Sequence, residues 1–270
     1  MLEEKLKKVL RKNHPEDSTF VVGDVVVGKD LFIAAGPCAV ESEEQMLASA
    51  RLARDGGANI LRAGAFKPRT CPYDFQGMGE EGLRLLALAK KETGLPIVTE
   101  ITSSSNIHLF EKYGVDVYQI GSRNCQNYEL LKDVGKVGKP VILKRGFSTT
   151  LKEFLGCAEY LMEHGTDKVI LCERGIKTFN DSSDYRNTLD YNAVIRLREY
   201  THLPIIVDPS HGTGVRSMIT RASMAGIAAG AQGLIIELHY KPEVALCDGE
   251  QSITNLTPIK EKCELIYKVA

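Results

Sequence analysis

Short apolar, β-rich runs recur along the chain, separated by stretches of helical texture. The runs are Leu31–Pro37, Ile60–Phe66, Ile97–Ile101, Val117–Ser122, Val141–Arg145, Val169–Gly175, Ile205–Asp208 and Gly233–Tyr240. Their near-continuous apolar character predicts parallel strands buried on both faces. Between them, Glu43–Asp55, Glu80–Thr93, Ser104–Lys112, Tyr128–Val134, Leu151–Glu163, Thr188–Tyr200 and Val215–Ala229 mix apolar and charged residues at helix-like intervals, and a last helix is predicted near Pro258–Val269. Ser42, followed by Glu44 and Gln45, reads as a helix start. Gly or Pro punctuates the approach to several strands, as in GLPIV, GKPVI, HLPII and GAQGLI.

Eight β/α units predict an α/β fold, a (β/α)8 TIM barrel over residues 31–270. An open doubly wound sheet is the competitor, because periodicity does not report closure; the count of eight favours the barrel. Residues 1–30 fall outside the repeat. A short helix, Glu3–Arg11, and a valine-rich hairpin in FVVGDVVVGKDLF are expected there, closing the lower end of the barrel. No linker or second domain is visible.

Composition narrows the function. With 43% hydrophobic and 26% charged residues among 270, the chain can bury a real core. A net charge of -1 argues against nucleic acid or an anionic membrane as the main partner, since both reward a basic face. No apolar run is long enough to span a bilayer, and MLEEKLKKVLRKNHP lacks the apolar core of a secretion signal. The seven cysteines are odd in number and include no CxxC pair. A reduced, cytoplasmic compartment fits them, and a structural zinc knuckle does not.

Barrel enzymes carry their chemistry at the C-terminal ends of the strands. Two sets of side chains stand there. One is basic: Arg62, Lys67, Arg69, Arg123, Lys144, Arg145 and Arg174. For any one of them alone, a surface cation paired with a nearby acid is the better reading. Together, in a chain with almost no net charge, they imply a small, multiply charged anion, or two, because crowded cations repel unless anions lie between them. The other set is Cys38, His211, Glu237 and Asp248. Mixed sulfur, nitrogen and oxygen donors suit a divalent manganese, iron, cobalt or zinc ion without sharp selectivity. Singly, Cys38 reads as a small core residue and His211 as a satisfied loop histidine. Glu237, flanked by Leu and Ile, is costly to bury unless paired or ligated. His239 shares its face one layer further out, where a supporting role or an anion contact is expected.

The strings GPCAVES (36–42), LRAGAFKPRT (61–70), YDFQG (73–77), ILCERG (170–175), DPSHGTG (208–214) and LCDGEQS (246–252) resemble 3-deoxy-D-arabino-heptulosonate 7-phosphate (DAHP) synthase. The likeness is to its compact microbial branch, related to the 3-deoxy-manno-octulosonate 8-phosphate synthases, and runs from about Phe20 to the C-terminus. It implies condensation of phosphoenolpyruvate with erythrose 4-phosphate, the first step of the shikimate pathway to aromatic amino acids, by a metal-dependent aldol-type transferase. It implies a divalent cation on Cys38, His211, Glu237 and Asp248. It implies phosphoenolpyruvate contacts from Arg62, Lys67, Arg123, Lys144 and Arg174, and erythrose 4-phosphate held by Arg69 and Thr70. Lys144 is a candidate proton donor, Glu100 a candidate for orienting water, and Asp208 a candidate partner for His211 or a substrate hydroxyl.

The octulosonate enzymes take arabinose 5-phosphate and typically carry an Asn-Arg-Ser sequence at the KPRT position; some replace the ligand cysteine with asparagine. Arg69-Thr70 and Cys38 therefore favour the four-carbon aldose and a metal. Cys71 and Cys125 depart from the Ser and Met common in the family and remove neither a charge nor a ligand. About thirty residues precede the first barrel strand, too few for the regulatory domain some relatives carry, so no built-in feedback inhibition is expected. The resemblance also implies a homo-oligomer, with the hairpin a candidate interface. The rival functions are the octulosonate synthase, a metal aldolase using free pyruvate, and a non-catalytic regulatory barrel partnering a separate chorismate mutase.

Overall fold

The computed structural model describes residues 5–179 and 184–269. Eight parallel strands close on themselves in chain order: Phe32–Gly36 (β3), Ile60–Arg62 (β4), Ile97–Glu100 (β5), Val117–Ile120 (β6), Val141–Lys144 (β7), Val169–Glu173 (β8), Ile205–Val207 (β9) and Gly233–Glu237 (β10). Closure excludes the open sheet. The last strand pairs with the first from Gly233 opposite Phe32 to Glu237 opposite Gly36, which brings Glu237 within two residues of Cys38.

Successive strand residues point to opposite faces. The inward set Phe32, Ala34, Ile60, Val98, Val117, Ile142, Ile170, Cys172, Ile206 and Ile235 forms one buried cluster. Outward residues such as Leu61, Ile97, Tyr118, Leu143, Leu171, Val207 and Ile236 pack in a second cluster with the helices. Two residues beyond the inward apolar layer stand Arg62, Glu100, Gln119, Lys144, Arg174, Asp208 and Glu237. The same alternation that fills the barrel therefore aims polar groups at its C-terminal mouth.

The antiparallel hairpin Phe20–Val22 (β1) and Val25–Val27 (β2) closes the opposite end, with Val22, Val25 and Val27 joining the inward cluster. Of the expected helix Glu3–Arg11, residues 3 and 4 lie outside the described residues. Leu6–Arg11 is not helical, and this part of the expectation is corrected. Its backbone is claimed instead by long-range partners: the Lys7, Lys8 and Val9 amides donate to the Glu159 carboxylate, and Leu10 bridges Thr201.

Outside the barrel, Glu43–Asp55 (α1), Glu80–Thr93 (α2), Ile107–Lys112 (α3), Tyr128–Val137 (α4), Leu151–Glu163 (α5), Tyr191–Tyr200 (α6), Ile219–Ala228 (α8) and Thr257–Tyr267 (α9) match the helical texture of the sequence. Ser42 caps α1 by accepting from the Gln45 amide at 3.1 Å, as its spacing predicts. The α6 helix begins at Tyr191 rather than Thr188, because Asp190 caps it and Thr188 pairs with Ile176. A short helix, Pro209–Thr213 (α7), sits where only a loop is expected. Among the described residues no helix is long and apolar enough to cross a membrane.

Candidate active site

The α7 turn positions His211. Asp208 Oδ1 accepts from the His211 backbone amide at 2.9 Å, while Asp208 Oδ2 lies 2.7 Å from His211 Nδ1. A carboxylate there accepts the Nδ1 hydrogen, which leaves the Nε2 lone pair free to ligate. Nε2 lies 3.2 Å from Glu237 Oε1 and 3.8 Å from Asp248 Oδ2. Cys38 Sγ is 3.4 Å from Asp248 Oδ2. The donor atoms of Cys38, His211, Glu237 and Asp248 all lie within 4.8 Å of one another. Ligands at about 2.0–2.3 Å from one cation sit about 3–4.6 Å apart, so the four donors fit a single divalent ion.

The support around them fits a cation too. Glu237, fully buried, receives Arg62 Nη1 at 3.1 Å and the Gln251 side-chain amide. Asp248 has φ 53°, the one non-glycine residue with positive φ among those described, and Arg186 Nη2 holds its other oxygen at 3.0 Å. Burial opposes charge on Asp248, but His211 and Arg186 outweigh it and hold the carboxyl below its usual range. The same balance holds for Asp208: burial is overcome by His211 and Lys144. The Cys38 thiol is pushed up, first by its hydrogen bond with Cys247 and then by burial. Their sulfurs are 3.1 Å apart. Lys67 Nζ, 3.0 Å from Cys38 Sγ, supplies the positive charge a thiolate needs.

A cavity of about 560 Å³ opens beside these donors, sharing His211 and Asp248 with them and lined also by Cys247. Lys67, Arg69, Thr70, Arg123, Lys144 and Arg174 all line it, as does Glu100. Lys144 Nζ rests on Asp208 Oδ2 at 2.6 Å. Arg69 Nη1 reaches Cys247 Sγ at 2.9 Å and Nη2 reaches Asp74 at 3.3 Å. Two glycines permit the crowding. A Cβ on Gly121 would stand 2.0 Å from Glu100 Oε1, and one on Gly64 would stand 2.9 Å from Lys67 Cδ. Burial lowers the Arg174 pKa below its ordinary value, so among these cations it gains much from a bound anion.

One expectation needs correction, and Arg62 and His239 are placed more finely. Arg145 is not at the mouth: it pairs with Glu173 and Asp190, each at 2.9 Å. Lys144 points inward, so its neighbour points outward. Arg62 lies behind the main cavity, turned to Glu237 and to the Pro37 carbonyl at 2.8 Å. His239 is buried against Glu41 and does not reach the anion cavity. Of the two unusual cysteines, Cys71 is exposed and Cys125 is buried, and neither lines the cavity. Other lining residues carry no strand-end signal: Phe147, whose ring faces Arg174 at 4.6 Å, Arg123 at 5.8 Å and Lys177 at 5.9 Å, and Arg186 from the loop before α6.

Residues 7–267 match the sequence profile of the DAHP synthetase I family. The chain belongs to the DAHP synthetase I family. It is similar to the phospho-2-dehydro-3-deoxyheptonate aldolase of Thermotoga maritima, at 48% identity over 265 residues, covering 98% of this chain and 77% of that one. The crystal structure of that DAHP synthase superposes with a TM-score of 0.90 at 46% identity, over 98% of this chain and 77% of the other. A truncated form of the Thermotoga enzyme gives 0.87 at 43% identity, with 98% and 96% covered. The 2-dehydro-3-deoxyphosphooctonate aldolase of Syntrophotalea carbinolica is 32% identical over 256 residues, covering 87% of this chain and 90% of that one. DAHP synthases condense phosphoenolpyruvate with erythrose 4-phosphate at the head of the shikimate pathway, with a divalent cation. The donor cluster is a fit for that cation.

Proposed function

We propose that this chain condenses phosphoenolpyruvate, erythrose 4-phosphate and water to 3-deoxy-D-arabino-heptulosonate 7-phosphate and inorganic phosphate. The carrying observation is the adjacency of two sites at one barrel mouth. Four cation donors lie within 4.8 Å of one another, beside a cavity lined by cations. We assign catalysis to the barrel, residues 31–270, and treat residues 1–30 as an extension.

Phosphoenolpyruvate is a masked enol, so its C3 is already nucleophilic and no strong base is required. Lys67, Arg123, Lys144 and Arg174 hold its phosphate and carboxylate, with Arg62 supporting from behind. Arg69 and Thr70 hold the aldose phosphate, so that the aldehyde carbon meets C3 and two mutually repelling anions are brought together. Cys38, His211, Glu237 and Asp248 would hold the divalent cation, which would supply Lewis-acid polarisation of the aldehyde oxygen or activation of the water used next. Lys144 Nζ delivers a proton to the developing alkoxide. As the C3–aldehyde bond forms, positive charge develops at C2. Glu100 orients water toward C2, the proton shed as that water adds returns to Lys144, and phosphate leaves with the hydroxyl proton of the resulting hemiketal phosphate. Asp208 keeps His211 in its ligating tautomer and holds Lys144 in place.

We also propose a homo-oligomer working in the cytoplasm. The hairpin is a candidate interface because Val21 on it is 64% exposed. A separate chorismate mutase is the partner to seek.

The test is loss of phosphoenolpyruvate absorbance with erythrose 4-phosphate or arabinose 5-phosphate, each with and without a chelator. Consumption is expected with the four-carbon aldose, abolished by chelator and restored by manganese(II). Preference for arabinose 5-phosphate would assign the sister activity. An undiminished rate in chelator would remove the cation from the mechanism.

A further inference from the structure

Glu41 stands three residues after Cys38 on the loop that follows β3, outside the substrate cavity, and its side chain is only 8% exposed. Its Oε1 accepts the Leu246 backbone amide at 2.9 Å. Leu246 opens the turn that carries Cys247 and Asp248. The Leu246 side chain is 56% exposed and cannot anchor that turn by packing. The turn needs an anchor, because Asp248 holds a left-handed backbone that a non-glycine residue keeps only when its surroundings over-determine it.

The other oxygen of Glu41 faces His239. His239 Nδ1 accepts the Lys241 amide at 3.0 Å, so the ring hydrogen of the neutral form sits on Nε2. Buried Nε2 has no hydrogen-bond partner among the described residues, and Glu41 Oε2 is 3.5 Å away. His239 lies two residues past Glu237 on the end of β10. One carboxylate thus touches, directly or through His239, the three segments that bear Cys38, Glu237 and Asp248.

We propose that Glu41 is a positioning residue that ties the Leu246–Asp248 turn to the Cys38 loop and sets the spacing of the cation donors. The proposal rests on the reading of Cys38, His211, Glu237 and Asp248 as ligands. A carboxylate that only stapled the loop would alter stability and leave cation affinity alone. A tether that spaces the donors acts on affinity, as partners that orient ligands generally do.

The experiment is titration of the metal-free protein with manganese(II) against a chromogenic chelator, for wild type, Glu41→Ala, Glu41→Gln and Asp248→Ala. Amide exchange at Leu246 is read in parallel. Glu41→Ala is expected to bind manganese(II) about 10–100-fold more weakly and to exchange the Leu246 amide faster. At saturating manganese(II) its KM for phosphoenolpyruvate should match the wild type. Glu41→Gln, whose carbonyl still accepts from Leu246, should keep that amide protected and recover part of the affinity. Wild-type affinity in Glu41→Ala overturns the tether, whatever its stability. So does a Gln variant that loses affinity as fully as the Ala variant with the Leu246 amide still protected. If Glu41→Ala does not fold, Glu41→Gln decides against the wild type: an affinity loss of about 10–100-fold with the Leu246 amide still protected overturns the tether. Unchanged binding in Asp248→Ala instead overturns the ligand assignment itself.

Discussion

Asp208 Oδ2 takes both the Lys144 ammonium and the His211 ring, at 2.6 and 2.7 Å, while Oδ1 caps the α7 backbone. The carboxylate is fully buried and Lys144 nearly so, which makes the pair costly to break from one side. Asp208→Asn keeps the size but replaces an acceptor oxygen with a donor facing Lys144 or His211. We expect a loss of about 3–5 kcal/mol in denaturant unfolding and manganese(II) affinity reduced about 10–100-fold. Wild-type affinity in this variant would detach Asp208 from the cation site. At this scale much was legible in the sequence. Glu237 could be singled out because an acid inside an apolar run needs a partner. Strand-end position likewise picked out Lys67, Arg69, Lys144 and Arg174. It failed for Arg145, where one step along the chain reverses the direction of the side chain, and for Arg186, which arrives from a long loop.

Strands and most helices follow from local pattern, and the N-terminal segment does not. Leu6–Arg11 has helical texture, yet its amides are drawn to Glu159, far away along the chain. This segment docks through His202, whose Nδ1 meets Ser18 Oγ and whose Nε2 meets the Lys8 carbonyl, both at 2.7 Å. Burial is the main cause that lowers the His202 pKa below 6.5; the Lys8 carbonyl and Asp17 oppose the shift, while His14 and Arg11 add to it. The unfolded chain therefore takes up a proton near pH 6.5 that the folded chain resists. The stability from His202 is present above that pH and is lost as pH falls from 6.5 toward the lower folded value. Thermal midpoints measured between about pH 7.5 and 5.5 should fall with acid, and fall less steeply in His202→Gln. Equal slopes would mean that His202 stays neutral in neither state or both.

The barrel divides into a closed end and a working end. Val22, Val25 and Val27 plug the first, and the charged inward layer faces the second. Val27→Ala removes two buried methyl groups and should cost about 1–3 kcal/mol in denaturant unfolding. Manganese(II) affinity should not change, because the plug and the cation donors lie at opposite ends. A drop in affinity would show that the plug also sets the geometry of the mouth. The sequence by itself determined the eight β/α units, the hairpin and the residue types of the site, because burial pattern and donor chemistry are local properties of the chain. Tertiary structure alone decided closure of the sheet, which cations face the cavity, and the meeting of Cys38 and Glu237 with Asp248. Those depend on register and on through-space contact between segments some two hundred residues apart, where no local preference reaches.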